Sequence, residues 1–256
     1  MIIAHLTDPH IAIPGKITKD KFDTNAVLKQ AVDTILQMDA RPDVVIMTGD
    51  LTEDGRPEEY QALQEALSPL PQPVYLIPGN HDSRSELKNT FSEANYFPKQ
   101  DKFLHYTLES YPVRLVGLDT QVTGEEYGKL CSTRLNWLKA RLSEEPKKPT
   151  VIFMHHPPFA TGISGLDKIG LINGDEFGQL VAQYPNIIRV LCGHQHRSAQ
   201  LLWNGTMACI APSISYQFGL QLDPNKKAGY SNEATGFLLH IWQESNSMVT
   251  HSILLD

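Results

Sequence analysis

The chain has 256 residues, with 22 Lys and Arg against 29 Asp and Glu for a formal net charge of −7, and 41% hydrophobic residues. That composition excludes a disordered chain, and the acidic balance argues against a nucleic-acid polymer as partner, because phosphate-backbone binding needs clustered Lys and Arg. Three cysteines, Cys131, Cys192 and Cys209, with no Cys-x-x-Cys pairing argue against a disulfide framework or a thiolate zinc site. The ten histidines are the uncommon count.

In chain order, IIAHLT (Ile2 to Thr7) reads as a first strand, after an opening without a secretory pattern. A helix is expected from Thr24 to Met38, with Val27, Ala31, Ile35 and Met38 on one stripe and Asp23 or Thr24 as its cap. DVVIMT (Asp43 to Thr48) is the second strand. A helix begins near Pro57 and Glu58, where proline and acids suit a first turn. VYLI (Val74 to Ile77) is the third strand, and Phe103 to Leu118 suggests a hairpin. A helix over Thr133 to Leu142 turns Leu135, Leu138 and Leu142 inward. VIFM (Val151 to Met154) and IIRVLC (Ile187 to Cys192) are buried strands, and QLLW, TMACI, GFLLHIW and MVTHSILL follow as strand candidates. Arg84 to Lys102, Phe159 to Gly174 and Ser213 to Thr235 read as long irregular stretches, of the kind that are functional or interfacial. No apolar run approaches a membrane span. The expectation is one α/β domain with loop insertions, cytoplasmic, in a reducing compartment.

Five apolar strands each end in metal-competent side chains: Asp8-Pro9-His10, Gly49-Asp50, Gly79-Asn80-His81-Asp82, His155-His156-Pro157-Pro158 and Gly193-His194-Gln195-His196. In α/β sheets ligands gather beyond the carboxyl ends of strands, so these segments can converge. Imidazole, carboxylate and amide oxygen suit a divalent transition metal. Asp8 and His10 are two apart, and Pro9 biases Asp8 toward extended backbone, which puts both side chains on one side. His194 and His196 repeat the spacing. Glycines at 49, 79 and 193 permit tight turns before the ligands. Seven ligands exceed one ion but suit two, roughly 3.5–4 Å apart, with Asp50 as the bridge, one oxygen to each. Each residue alone reads as a turn, cap or packing residue; their joint occurrence at strand ends reverses that.

The set DPH, GDLTEDG, GNHD, HHPP and GHQH resembles the calcineurin-like metallophosphoesterase superfamily, with spacing similar to its bacterial class III cyclic-nucleotide phosphodiesterase and glycerophosphodiesterase branch. The resemblance runs from residue 1 to about 218. It implies a four-layer αββα sandwich of two mixed sheets flanked by helices. It also implies that Asp8, His10 and His196 hold one metal, that Asn80, His155 and His194 hold the other, and that Asp50 bridges. His156 becomes a neighbour that either supports the ligands from behind or faces the substrate. His81 lies where the family has a histidine beside the leaving-group oxygen, with Asp82 orienting it. Asp50, Asn80 and His81 are thus the catalytic candidates, and His81, His156 and Tyr216 the substrate-binding ones.

Two departures narrow the substrate. The phosphate-gripping arginine of the protein phosphatases is absent, since Arg56 follows Gly55, which is compatible with a diester. Tyr216 stands where the similar glycerophosphodiesterases have a histidine, and a phenol can hydrogen-bond but does not take up and release a proton near neutral pH. The expected activity is hydrolysis of a small phosphodiester, a 3′,5′-cyclic nucleotide or glycerophosphodiester, by hydroxide generated on two divalent ions (Mn, Fe or Zn). A phosphomonoesterase or nuclease is the alternative, and a metal-bound protein-interaction scaffold the alternative outside enzymes. The segment around 217–235 resembles a dimerising cap, so a homodimer or dimer-based assembly is expected. His5, His105, His240 and His251 are read as structural.

Overall fold

A computed structural model describes residues 1–19, 21–99, 101–243 and 247–255. The apolar strand segments form two large sheets. The first contains β1 (Ile2–Leu6), β2 (Val44–Thr48), β3 (Val74–Ile77), β12 (Thr235–Gln243) and β13 (Ser247–Leu255), in the order β13-β12-β1-β2-β3. The second contains β4 (Tyr106–Leu108), β5 (Arg114–Leu118), β6 (Thr150–Met154), β7 (Ile187–Cys192), β8 (Ala199–Trp203) and β9 (Thr206–Ile210), in the order β4-β5-β6-β7-β9-β8. Both sheets are mixed. β1, β2 and β3 run parallel while β12 joins β1 antiparallel, and β5, β6, β7 and β9 run parallel between antiparallel edges. The strands β2, β5 and β6 are buried along their whole length. That burial explains why they read as continuous apolar runs instead of alternating ones. Helices cover the outer faces, which makes the four-layer α/β sandwich.

The helices follow their end signals. The Asp23 side chain caps α1 (Thr24–Gln37) by accepting from the Ala26 N–H. Proline opens α2 (Pro57–Leu67), where the Glu59 carboxylate accepts the Arg56 N–H. The helix α4 (Ser132–Glu144) buries Leu135, Leu138 and Leu142. The stretches expected to be irregular contain more order than their composition suggests. α3 (Arg84–Thr90) starts at Ser83, whose hydroxyl accepts from the Glu86 N–H. α5 (Ser164–Asp167) lies within the second stretch, and α6 (Gly174–Val181) starts at its end. The third contains a two-stranded hairpin, β10 (Gln217–Phe218) with β11 (Tyr230–Ser231). Among the described residues no helix is long and apolar enough to cross a membrane.

Candidate metal centre

β1, β2 and β3 of one sheet, and β6 and β7 of the other, deliver their carboxyl ends to one place. Backbone bonds lock the loops together there: the Asp8 N–H donates to the Gly49 carbonyl (3.1 Å), His10 to Asp50 (3.0 Å) and Ile11 to Leu51 (3.1 Å). The hydroxyls of Ser213 and Ser215 both donate to the Asp8 carbonyl. The extended backbone expected of Asp8 and His10 is not what forms. Asp8 (φ 50°), His10 (φ 46°), Asp50 (φ 46°), His194 (φ 74°) and His196 (φ 48°) are all left-handed, a costly conformation for residues with a Cβ. The bonds to residues 49–51 hold the Asp8–His10 turn against the local bias that Pro9 exerts. Gly49 also sits at φ 89°, and a Cβ there would lie 2.6 Å from His155 Nδ1. Gly193 serves close approach instead of a turn, because a Cβ would run into the Thr7 hydroxyl and the Asp8 carboxylate.

The ring nitrogens follow a common pattern. His155 Nδ1 donates to the Thr48 carbonyl (2.6 Å), and His196 Nδ1 donates to the Tyr216 carbonyl (2.9 Å). His10 Nδ1 donates to the Glu53 carboxylate (2.9 Å). Each ring therefore turns its Nε2 inward, open to a cation or a proton. His10 Nε2 and His196 Nε2 lie 3.0 Å apart, and His196 Nε2 is 3.4 Å from Asp8 Oδ1. His155 Nε2 lies 3.0 Å from Asn80 Oδ1, 3.1 Å from His194 Nδ1 and 3.3 Å from Asp50 Oδ2. Two adjoining sets of lone pairs result, with Asp50 Oδ2 facing both, 3.7 Å from His10 Nε2 on the other side. A single Asp50 oxygen spans the sets, whereas the sequence suggested one oxygen for each. The other, Oδ1, accepts the His81 N–H at 2.9 Å.

This donor set fits divalent cations. Neutral imidazole nitrogens pointed at one another and at carboxylates in a buried space repel unless a cation or a proton lies between them. His194 Nε2 has no hydrogen-bond partner among the described residues. Burial lowers His155, but the Asp50 carboxylate outweighs it and pushes the ring up to about 9. Burial and then His155 push His194 down to about 3. Burial raises Asp8, yet His196 overcomes it and holds the carboxyl at about 2.

The surrounding residues divide into those that face the centre and those that support it. His81 donates Nδ1–H to the Glu53 carbonyl (2.6 Å) and stands edge-on to the His10 ring. Asp82 does not orient His81 by a side-chain contact. Its carboxylate accepts from the Leu51, Thr52 and Gly79 N–H groups and from the Tyr60 hydroxyl, welding the loop after β2 to the loop after β3. His156 is fully buried: Nδ1 meets the Thr120 hydroxyl (2.8 Å) and Nε2 the Glu126 carbonyl (3.1 Å), so both nitrogens have protein partners. The Tyr216 ring borders the rings of His196 (centroids 4.5 Å apart) and His10 (5.3 Å) and stacks on Phe22 (4.8 Å). Arg56 turns to Asp54 (3.3 Å), and Arg84 grips Asp119 through Nε (2.6 Å) and Nη2 (2.8 Å). Glu53, buried against His10, was not among the residues the motifs singled out.

A sandwich of two mixed sheets with a His/Asp/Asn centre at its strand ends defines a metal-dependent hydrolase. Residues 1–198 match the family model described as calcineurin-like phosphoesterase, and the chain belongs to that family. It is 36% identical over 253 residues to a protein of Arcobacter nitrofigilis named as a probable glycerophosphodiester phosphodiesterase, covering 98% of this chain and 92% of that one. It is 33% identical over 216 residues to the 3′,5′-cyclic adenosine monophosphate phosphodiesterase of Escherichia coli K12, covering 84% of this chain and 77% of that one. A dimetal phosphatase from Danio rerio superposes with a TM-score of 0.73 at 16% identity over 100% of this chain and 98% of that one, a likeness of fold.

Proposed function

We propose that the chain is a metal-dependent phosphodiesterase acting on small phosphodiesters, 3′,5′-cyclic nucleotides or glycerophosphodiesters. The observation that carries this reading is the convergence of inward-facing imidazole nitrogens with the Asp8 and Asp50 carboxylates in one buried space. The names of the two relatives favour the diester class. In this reading Asp8, His10 and His196 would hold one divalent cation and Asn80, His155 and His194 the other, with Asp50 placed to serve both. Such cations, Mn, Fe or Zn, supply the Lewis acidity that activates water and offsets charge on the phosphoryl oxygens.

The chain's own residues then do the rest. His81 gives its Nδ1 proton to the Glu53 carbonyl, which leaves Nε2 for the substrate. Burial lowers the His81 pKa, but Asp50 and the Glu53 carbonyl outweigh it and raise the pKa, which favours the protonated ring whose Nε2–H can donate to the departing ester oxygen. Tyr216 shapes the His10–His196 side, and His156 holds the 120–128 loop beside the substrate. We take residues 1–256 as one domain with a cap around 217–235. Exposed Leu220, Leu222 and Tyr230 in that cap favour a homodimer, which light scattering checks. The free cysteines, two of them buried, favour the cytoplasm.

The test is to strip the protein of metal, reload it with Mn, Zn or Fe, and measure kcat/KM. The panel comprises cyclic AMP, cyclic GMP, glycerophosphodiesters, a phosphomonoester and short DNA. Diesters of low mass are expected to lead, and Asp50→Ala to abolish turnover. A protein inert on every diester after reloading with each cation overturns the proposal.

A further inference from the structure

Three of the inward-facing histidines are fixed from behind through Nδ1, and the fixing groups differ. For His155 and His196 the acceptor is a main-chain carbonyl, from Thr48 and Tyr216. For His10 it is a carboxylate, Glu53 Oε2, at 2.9 Å. Glu53 is 8% exposed, and its own N–H donates to the Ile11 carbonyl (3.0 Å), which ties it to the turn that carries His10. Its second oxygen, Oε1, is in contact with the Lys19 ammonium. Lys19 itself adopts φ 50°. Both Glu53 oxygens are thus engaged, and the His10 contact is to Nδ1, on the opposite side of the ring from the nitrogen that faces His196.

We propose that Glu53 is a positioning residue for the Asp8–His10–His196 half of the centre, holding His10 in the tautomer that presents Nε2 to a divalent cation, with Lys19 holding Glu53 in place. The inference rests on the metal-dependent reading above. A carboxylate accepts and cannot donate, so the shared proton belongs to His10 Nδ1 and the lone pair to Nε2. The Lys19 ammonium against Oε1 favours the carboxylate form of this acceptor. A charged acceptor behind an imidazole makes it a stronger donor to a metal than a carbonyl does. The two halves of the centre therefore differ in strength, and Glu53 is the cause.

The experiment compares wild-type protein with Glu53→Ala and Glu53→Gln, each stripped of metal and titrated with Mn²⁺ by calorimetry. Histidine ring ¹⁵N spectra are taken before metal is added. Wild type is expected to bind two equivalents and to show His10 protonated on Nδ1. In Glu53→Ala one equivalent weakens by about 10–100-fold, the range for loss of such a partner, while the other changes by less than about threefold. The His10 spectrum moves toward the Nε2-protonated form. Glu53→Gln, whose amide oxygen still accepts, keeps the wild-type tautomer and falls between, which separates the effect from a general loss of folding. An unchanged tautomer with both affinities intact in Glu53→Ala overturns the inference, as does equal weakening of both equivalents in Glu53→Gln. If wild type binds two equivalents yet hydrolyses no diester, the functional reading fails while the Glu53 comparison still stands.

Discussion

The protein buries two groups of histidines and treats their nitrogens in opposite ways. At the strand ends, His10, His155 and His196 spend Nδ1 on protein acceptors and leave Nε2 facing other lone pairs. Inside the first sheet, His5 and His240 leave no nitrogen unshared. His5 Nε2 meets the Thr48 hydroxyl at 2.9 Å, His5 Nδ1 meets His240 Nε2 at 3.3 Å, and His240 Nδ1 meets the Thr250 hydroxyl at 2.9 Å. Asp8 sets the direction of this chain. Its carboxylate accepts the Thr7 hydroxyl proton, and Thr7 accepts from Thr48. Thr48 then accepts from His5 Nε2–H, His5 Nδ1 from His240 Nε2–H, and His240 Nδ1 from Thr250. Every proton has a place, and both rings are neutral. Burial pushes His5 down to about 3 and His240 well below its ordinary value. Burial alone does not mark a histidine as functional; an inward lone pair with no proton to share does.

The largest test of that contrast sets His155→Ala against His240→Leu. On the reading proposed above, losing His155 removes a donor from a cation, and kcat/KM is expected to fall by about 10³-fold, the upper range for loss of a single electrostatic stabiliser. His240→Leu strands His5 Nδ1 without a donor, at a cost of about 1–3 kcal/mol, and about 2–4 °C of melting temperature per kcal/mol in a chain of this size. Its kcat/KM should stay within about twofold of wild type, a shift under about 0.5 kcal/mol. Thermal melts and steady-state kinetics read both. The reverse pattern, an intact kcat/KM in His155→Ala and an activity loss in His240→Leu, would break the distinction.

Acid should expose the same pair. A histidine held neutral by burial binds its proton only in the unfolded chain, so the stability it contributes is full above pH 6.5 and is lost as pH falls toward about 3. Asp82 acts in the opposite sense. Burial and then Asp50 push its carboxyl up to about 6, so the fold takes up that proton before the unfolded chain does. The difference between wild type and a His5→Leu/His240→Leu double variant removes Asp82 from the comparison. In urea unfolding between pH 6 and 4.5, wild type should lose about 1.4 kcal/mol more per pH unit for each histidine replaced. Parallel profiles would mean that the pair titrates in the fold.

What could be read from the chain depended on whether a residue's partner was local. β3 and β7 have the bounds their apolar runs suggest, and Asp23 caps α1, because composition and adjacent residues decide both. The strand-end motifs were legible because strand direction brings them together without detailed packing. The start of α3 was missed, because Arg84 to Lys102 read as irregular, although Ser83 and Glu86 stand at capping distance. Glu53 was not legible either. Its partner His10 is 43 positions away, and their contact depends on the pairing of Ile11 with Thr52 across two loops. The left-handed Asp8 was hidden for a related reason: the local effect of Pro9 points the other way, and only the bonds from residues 8, 10 and 11 to residues 49–51 overrule it. His5 and His240 could be read as structural, but not as partners, because the register of β1 against β12 sets their approach.

The smallest test lies at the far end of the same chain of hydrogen bonds. Thr250→Val keeps the shape and the β-branch of the side chain but removes the hydroxyl that supplies His240 Nδ1. Thr250 is only partly buried, so water can replace the lost donor, and the expected cost is about 0.5–1.5 kcal/mol, near the net value of one hydrogen bond. Four intervening groups separate Thr250 from Asp8, and the bonds among them are kept in the variant. Metal affinity should therefore stay within about twofold in calorimetry, under about 0.5 kcal/mol, while the melting temperature falls. If the affinity of one cation falls as well, the chain transmits its polarity to Asp8. The sheet histidines would then belong with the residues that hold the centre.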